Sequence, residues 1–137
     1  MNDKNQLIEV ALAGSVGSFD LDCTFKMAPR GVTALFGPSG CGKTTVLRCM
    51  AGLSRLPGKI SIGGKVWQDT SASVHIPTHK RSVGYVFQES SLFPHLNVRD
   101  NLLFGVKQSK GDRGLGTENA PSFDEIVSLF GLASLLE

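Results

Sequence analysis

The chain has 137 residues, enough for one domain with its own core. Its formal charge of +2, with no block of like charges, argues against nucleic acid or an anionic membrane surface as partner. No apolar run approaches the ~20 residues of a bilayer span. The N-terminus has no basic-then-apolar leader. The three cysteines, Cys23, Cys41 and Cys49, lack C-x-x-C spacing and an even count, so neither zinc nor a disulfide framework is expected. A cytosolic chain is the reading.

Ile8, Val10 and Leu12 alternate with Glu9, Ala11 and Ala13, and Gly14, Ser15, Val16 and Gly17 supply turn residues, which predicts a hairpin. Its return strand sets Phe19, Leu21, Cys23 and Phe25 on one face, with Asp20, Asp22, Thr24 and Lys26 on the other. Pro29, Arg30 and Gly31 then lead into Val32, Ala34, Leu35 and Phe36, an apolar run suited to a buried strand.

Directly after that run, Gly37, Gly42, Lys43 and Thr44 satisfy G-x-x-x-x-G-K-[ST] in the sequence GPSGCGKTT. Gly37, Gly40 and Gly42 let the backbone turn tightly and approach a ligand. Pro38, Ser39 and Cys41 complete the loop, and the N–H groups from Gly40 to Thr45 are expected to converge as a nest for anionic oxygens. The helix beginning near Lys43 adds its positive pole. Lys43 supplies a mobile cation, and the Thr44 hydroxyl is suited to Mg²⁺. These residues predict a phosphate cradle.

Beyond the loop, Val46, Leu47, Met50 and Ala51 form an apolar stripe at helical spacing, ended by Gly52. Residues 59–62 and 65–67 flank Gly63 and Gly64, a second hairpin signal. Residues 69–80 read as polar and irregular. Residues 83–87, VGYVF, are another buried-strand candidate, followed by Gln88. Pro94 keeps its surroundings from being helical. Asn97 with Asp100 resembles a capping box before Leu102, Leu103 and Phe104, and Ser122 with Glu125 makes a second one before Ile126, Val127, Leu129 and Phe130, with Gly131 as the stop. Residues 132–137 read as the start of another helix. Gly, Ser, Lys and Asp between 107 and 120 predict a flexible linker. The division expected is therefore a core over 1–106, a linker over 107–120 and the opening of a helical subdomain over 121–137.

Three stretches in order, GPSGCGKTT, AGLSRLPGKI and VGYVFQ followed by LFPHLNVRDNL, resemble the nucleotide-binding subunit of ABC transporters. SFDLDCTF, GVTALFG and the LFPHLNVR stretch are most similar to the ATPase of molybdate importers. The resemblance implies an α/β phosphate-loop NTPase core with an incomplete parallel sheet, an antiparallel β subdomain and the start of a helical subdomain. It implies ATP and Mg²⁺ as cofactors, with Gly37 to Thr45 holding the nucleotide. Gln88 matches the glutamine that approaches the metal and the attacking water, the role in which it joins Lys43 as a catalytic candidate. Leu92, Phe93, Pro94, His95 and Leu96, within the segment 88–98, match the surface that receives a transmembrane permease. It also implies a second copy of the full-length ATPase, an indirect periplasmic binding protein, no nucleic acid, and a place on the inner face of the plasma membrane. The family's signature motif, the acidic pair after the next buried strand and the switch histidine are not among these residues. The chain therefore reads as the N-terminal part of a longer protein that, alone, binds nucleotide at most.

Some residues admit two readings. Phe19 reads either as a ring that stacks on adenine or as core packing. Cys41 reads either as an activated thiol in the loop's positive field or as an indifferent spacer. His95 is read as an interface residue, His75 and His79 as solvated, Lys80 and Arg81 as a surface pair, and Trp67 as hairpin packing. Two other functions compete with a transport ATPase: a small phosphate-loop kinase or GTPase, and a regulator that binds nucleotide without hydrolysing it. The antiparallel strands before the loop and the segment 88–98 count against the first.

Overall fold

A computed structural model describes residues 7–108 and 121–136. Contacts divide the chain into two units, Met1–Val86 and Phe87–Glu137.

In the first unit, β1 (Ile8–Val16) and β2 (Phe19–Met27) pair antiparallel from Ile8↔Met27 to Val16↔Phe19. That register leaves Gly17 and Ser18 as a two-residue turn, with Gly17 at φ 61°. The turn expected at 14–17 is thus shifted: Gly14, Ser15 and Val16 are strand, because a two-residue loop opened by a left-handed glycine matches the strand twist. The second hairpin forms as expected, from β3 (Gly58–Ile62) and β4 (Lys65–Asp69), and Gly63 and Gly64 both have positive φ. β1 also pairs with β3, so the two hairpins form one five-stranded antiparallel sheet, β2-β1-β3-β4-β5, with β5 being Val74–His75. The stretch 69–80 is consequently not wholly irregular. Asp69 ends β4, β5 pairs with it, and Thr78–Lys80 is a single 3₁₀ turn.

The core lies between one face of this sheet and the helix α1 (Lys43–Ala51), which runs on from the glycine loop. Val10, Leu12, Leu21, Ile60 and Trp67 from the sheet meet Val46 and Cys49 from the helix, with Leu56 between them. The strand alternation predicted from the sequence is what puts Val10, Leu12 and Leu21 inside. The helix stripe is corrected at one place. Leu47 is exposed, and Cys49, completely buried, takes the inward position. Gly52, at φ 81°, ends α1 as expected, and its N–H bonds to Cys49 O. The Gln68 amide, also fully buried, donates to Leu56 O at 2.6 Å and ties β4 to the crossing between α1 and β3.

The two apolar runs read as buried parallel strands do not form strands. Residues 32–36 and 83–87 carry no ladder, and Val32, Phe36 and Val86 are almost fully exposed. A parallel strand obtains its hydrogen bonds and its cover from neighbouring strands. Among the described residues no strand pairs with either run, so apolarity alone does not make a sheet there.

The second unit contains α2 (Val98–Gln108) and α3 (Phe123–Leu129). Asn97 caps α2 as expected, its Oδ1 accepting from the Asp100 N–H at 2.8 Å. The reciprocal half of that box is replaced: Asp100 pairs with Lys107 instead, at 2.7 Å. Ser122 and Glu125 form the full capping box of α3. Residues 132–136 hold one 3₁₀ turn, Ala133–Leu135, rather than a further α-helix. Lys107 and Gln108 belong to α2, and the rest of the expected linker, 109–120, lies outside the described residues.

Candidate functional site

The loop 37–42 joins an extended segment to α1, and its geometry follows from its glycines. Gly40 and Gly42 have φ of 82° and 92°, where a side chain is strained. Gly42 is also needed for space. A Cβ there would lie 2.6 Å from Leu21 Cδ1 and 3.0 Å from Phe19 Cε1. At Gly37 a Cβ would meet Cys41 Sγ at 2.8 Å, while nothing lies within 4 Å of one on Gly40. The loop is therefore closed against the sheet at Gly42 and open at Gly40.

Lys43 folds back across this loop. Its Nζ donates to Gly37 O at 2.8 Å and to Pro38 O at 2.7 Å, and Cys41 Sγ lies 3.6 Å away. Among the described residues no carboxylate pairs with it, and its hydrogen-bond partners are the two carbonyls and the Cys41 sulfur. The first turn of α1 is equally free of competition. Gly42 caps it without a side-chain hydrogen bond, there is no acidic residue in the turn, and the helix ladder starts with Val46 N–H to Gly42 O at 2.9 Å. Unpaired first-turn N–H groups, the positive helix pole and an ammonium unmatched by a carboxylate are the donor set that an anion requires, which makes this loop the candidate site. The Thr44 side chain is exposed beside it. Nothing in the donor set repels a polyphosphate, and the residues fit ATP with Mg²⁺: loop N–H groups and Lys43 for the phosphates, Thr44 for the metal.

The structure thus brings Phe19 together with the loop, which lies well downstream in sequence. The ring is half-buried, packed on the core on one side and edge-on to Gly42 on the other.

A family model described as ABC transporter matches residues 21–137. The chain belongs to that family. Among its relatives is a protein of Rhodopseudomonas palustris (strain BisB18) named molybdenum import ATP-binding protein ModC, 49% identical over 138 residues that include all of this chain and 35% of that protein. Proteins of the same name from Rhodobacter capsulatus (49% identical, 95% of this chain and 34% of the relative) and, as ModC 1, from Azotobacter vinelandii (48%, 87% and 32%) are similar to it as well. The chain spans about a third of the length of the curated relatives it matches. Membership of the family implies the phosphate-loop NTPase fold.

In this ABC chain the remaining site candidates lie in the second unit. Gln88 is exposed in a bend. Leu92 is 73% exposed, and Phe93 packs its ring on Phe104 at 4.2 Å and edge-on to His95 at 5.9 Å. One side chain holds this turn. Asn101 Oδ1 accepts from Phe93 N–H at 2.7 Å, while its Nδ2 donates to Phe93 O, Leu96 O and Asn97 O at 3.0–3.1 Å. Nothing in the sequence pattern singles out Asn101; its cue is an amide side chain one helical turn beyond Asn97, beside a proline loop.

Arg81 departs from the surface pair expected with Lys80. It is not a surface residue but 5% exposed. Nη1 donates to Cys49 O at 2.9 Å and Met50 O at 2.8 Å, and Nε donates to Ile76 O at 2.8 Å. Burial pulls its pKa down from the ordinary arginine value, with Cys49 working the other way. Burial also raises the Cys49 thiol above the ordinary thiol value, so Cys49 is a neutral core residue at pH 7. A helix C-terminus prefers a nearby cation, but the sequence does not say which one.

Proposed function

We propose that this chain is the nucleotide-binding part of the energy-coupling ATPase of an importer, with molybdate or a closely similar oxyanion as cargo. The observation that carries the proposal is the Lys43 ammonium, lying over the loop carbonyls of Gly37 and Pro38 at the free N-terminus of α1. The names of the relatives support molybdenum as the transported element. In the whole protein, hydrolysis of ATP drives uptake through a permease dimer, and the subunit sits on the cytoplasmic face of the membrane. Within these 137 residues the reading is confined to nucleotide binding.

Each candidate has its place in that reading. Residues 37–45 hold the phosphates, Thr44 and Gln88 attend Mg²⁺, and Gln88 orients water. Leu92, Phe93, Pro94, His95 and Leu96 meet the permease; the exposure of Leu92 and the fixed turn around Asn101 support this. A second copy of the full-length subunit and, indirectly, a periplasmic binding protein complete the assembly. Residues 1–106 belong to the nucleotide-binding core, and 121–137 open the helical subdomain.

Titration of the chain with a fluorescent ATP analogue (mant-ATP) and Mg²⁺ tests the reading, with Lys43→Ala beside it. Removing one partner of a desolvated charge pair costs ~2–5 kcal/mol, so affinity falls by about thirtyfold or more. Binding that is unchanged by the substitution rules out the cradle.

A further inference from the structure

We propose that Arg81 is a positioning residue for the nucleotide site, acting from the opposite end of α1. The inference rests on the nucleotide-binding reading and goes beyond it.

The helix α1 has nine residues and is about 13.5 Å long. It is held at two places. At its N-terminal end Gly42 lies against Phe19 and Leu21, with no room for even a methyl group. At its C-terminal end the Arg81 guanidinium gathers two carbonyls of the last turn, Cys49 O and Met50 O, and fastens them to Ile76 O on the chain that leaves β5. The approach is close. A Cβ on Gly52 would sit 2.8 Å from both Cζ and Nε of Arg81. A rod held at both ends has a fixed tilt, and its tilt sets where the loop N–H groups and Lys43 point.

The arrangement exceeds what capping a helix requires. Arg81 places a whole charge in the interior with Nη2 buried and without a hydrogen-bond partner. A lysine would supply the charge but not the fork that spans two helix carbonyls and Ile76 O at once. The guanidinium also lies 5.6 Å from the centroid of the Trp67 ring, itself buried in the core. Trp67 is the sole tryptophan of the chain, so its emission reports on this anchor without any substitution.

Two measurements on the 137-residue chain test the proposal: Trp67 emission during titration with unlabelled Mg-ATP, and mant-ATP affinity for wild type, Arg81→Lys and Arg81→Gln. Far-UV circular dichroism, taken well below each unfolding midpoint, identifies the folded variants. The expected result is a Trp67 response to Mg-ATP in the wild type and about tenfold weaker mant-ATP binding in both folded variants. Wild-type affinity in Arg81→Lys, or a silent Trp67 while mant-ATP binds, overturns the inference and leaves the phosphate loop standing. A wild type that binds no mant-ATP overturns both. Should Arg81→Gln fail to fold, Arg81→Lys and the wild-type Trp67 signal still decide.

Discussion

The edge of the Phe19 ring lies against the backbone of Gly42, so close that a Cβ on that glycine would be 3.0 Å from Phe19 Cε1. A hairpin strand therefore forms one wall of the phosphate loop, and the ring serves packing on one side while flanking the site on the other. Phe19→Leu keeps most of the apolar volume but removes the aromatic face. If the ring also stacks on the base, the substitution costs ~1–3 kcal/mol of affinity. The expected outcome is weaker binding of mant-ATP, by about tenfold, with the unfolding midpoint little changed. Equal affinity for both proteins confines Phe19 to packing.

Cys41 is the thiol of the glycine loop. It is half-buried, 3.6 Å from Lys43 Nζ, whereas Cys49 is completely buried. An alkylating reagent should modify Cys41 well before Cys49, and Mg-ATP should protect it, because phosphates and reagent compete for one opening. Peptide mapping after timed labelling reads this directly. Labelling that is the same with and without nucleotide contradicts it.

Glu9 joins three strands. Its carboxylate pairs with Lys26 on β2 and accepts from Ser61 Oγ on β3 at 3.2 Å. The hydrogen bond and the charge of Lys26 lower its pKa from the ordinary 4.5, with Ser61 and Lys59 adding to the shift and desolvation opposing it. A carboxyl whose folded pKa is depressed stabilises the fold above its unfolded value, and that contribution is lost as pH falls through the lower folded value. Acidification below pH 4.5 should therefore weaken the sheet. In Glu9→Gln the decline of the unfolding midpoint with falling pH should be shallower in that window; identical profiles would remove Glu9 from the account.

Asn101→Asp tests the turn that presents Leu92 to Leu96. The new carboxylate can still accept from Phe93 N–H, but it faces three carbonyl oxygens where an amide donor stood. Losing several hydrogen bonds worth ~0.5–1.5 kcal/mol each should lower the local stability of this turn by about 1–3 kcal/mol. Hydrogen exchange of the Phe93 and Leu96 amides should quicken, while mant-ATP affinity stays as it was. Unaltered exchange would show that the turn is held by the Phe93–Phe104 contact instead.

Much of the local architecture was legible in the sequence because it is decided by neighbours along the chain. The strand alternation of Val10, Leu12 and Leu21, the Gly63-Gly64 turn, the stop at Gly52 and the capping box of Ser122 with Glu125 all depend on residues a few positions apart. The phosphate loop is of the same kind: nine consecutive residues, GPSGCGKTT, specify a backbone path almost by themselves. The misreadings share the opposite cause. Val32 and Phe36 look buried, yet burial needs a neighbouring strand that a local pattern cannot supply. Arg81 looks exposed, yet its partners are the carbonyls of a helix about thirty residues away.

Sequence alone determined the glycine loop on which the nucleotide-binding proposal rests, because glycine freedom, a helix start and one lysine act within a single turn, and its motifs in order carry the resemblance to ABC transporter subunits. Tertiary structure alone decided what surrounds that turn: Phe19 as its wall, Arg81 as its far anchor, Cys49 rather than Leu47 in the core. Such roles depend on which segments the folded sheet brings together, and hydrophobic spacing holds no record of a guanidinium that finds its hydrogen bonds across the core.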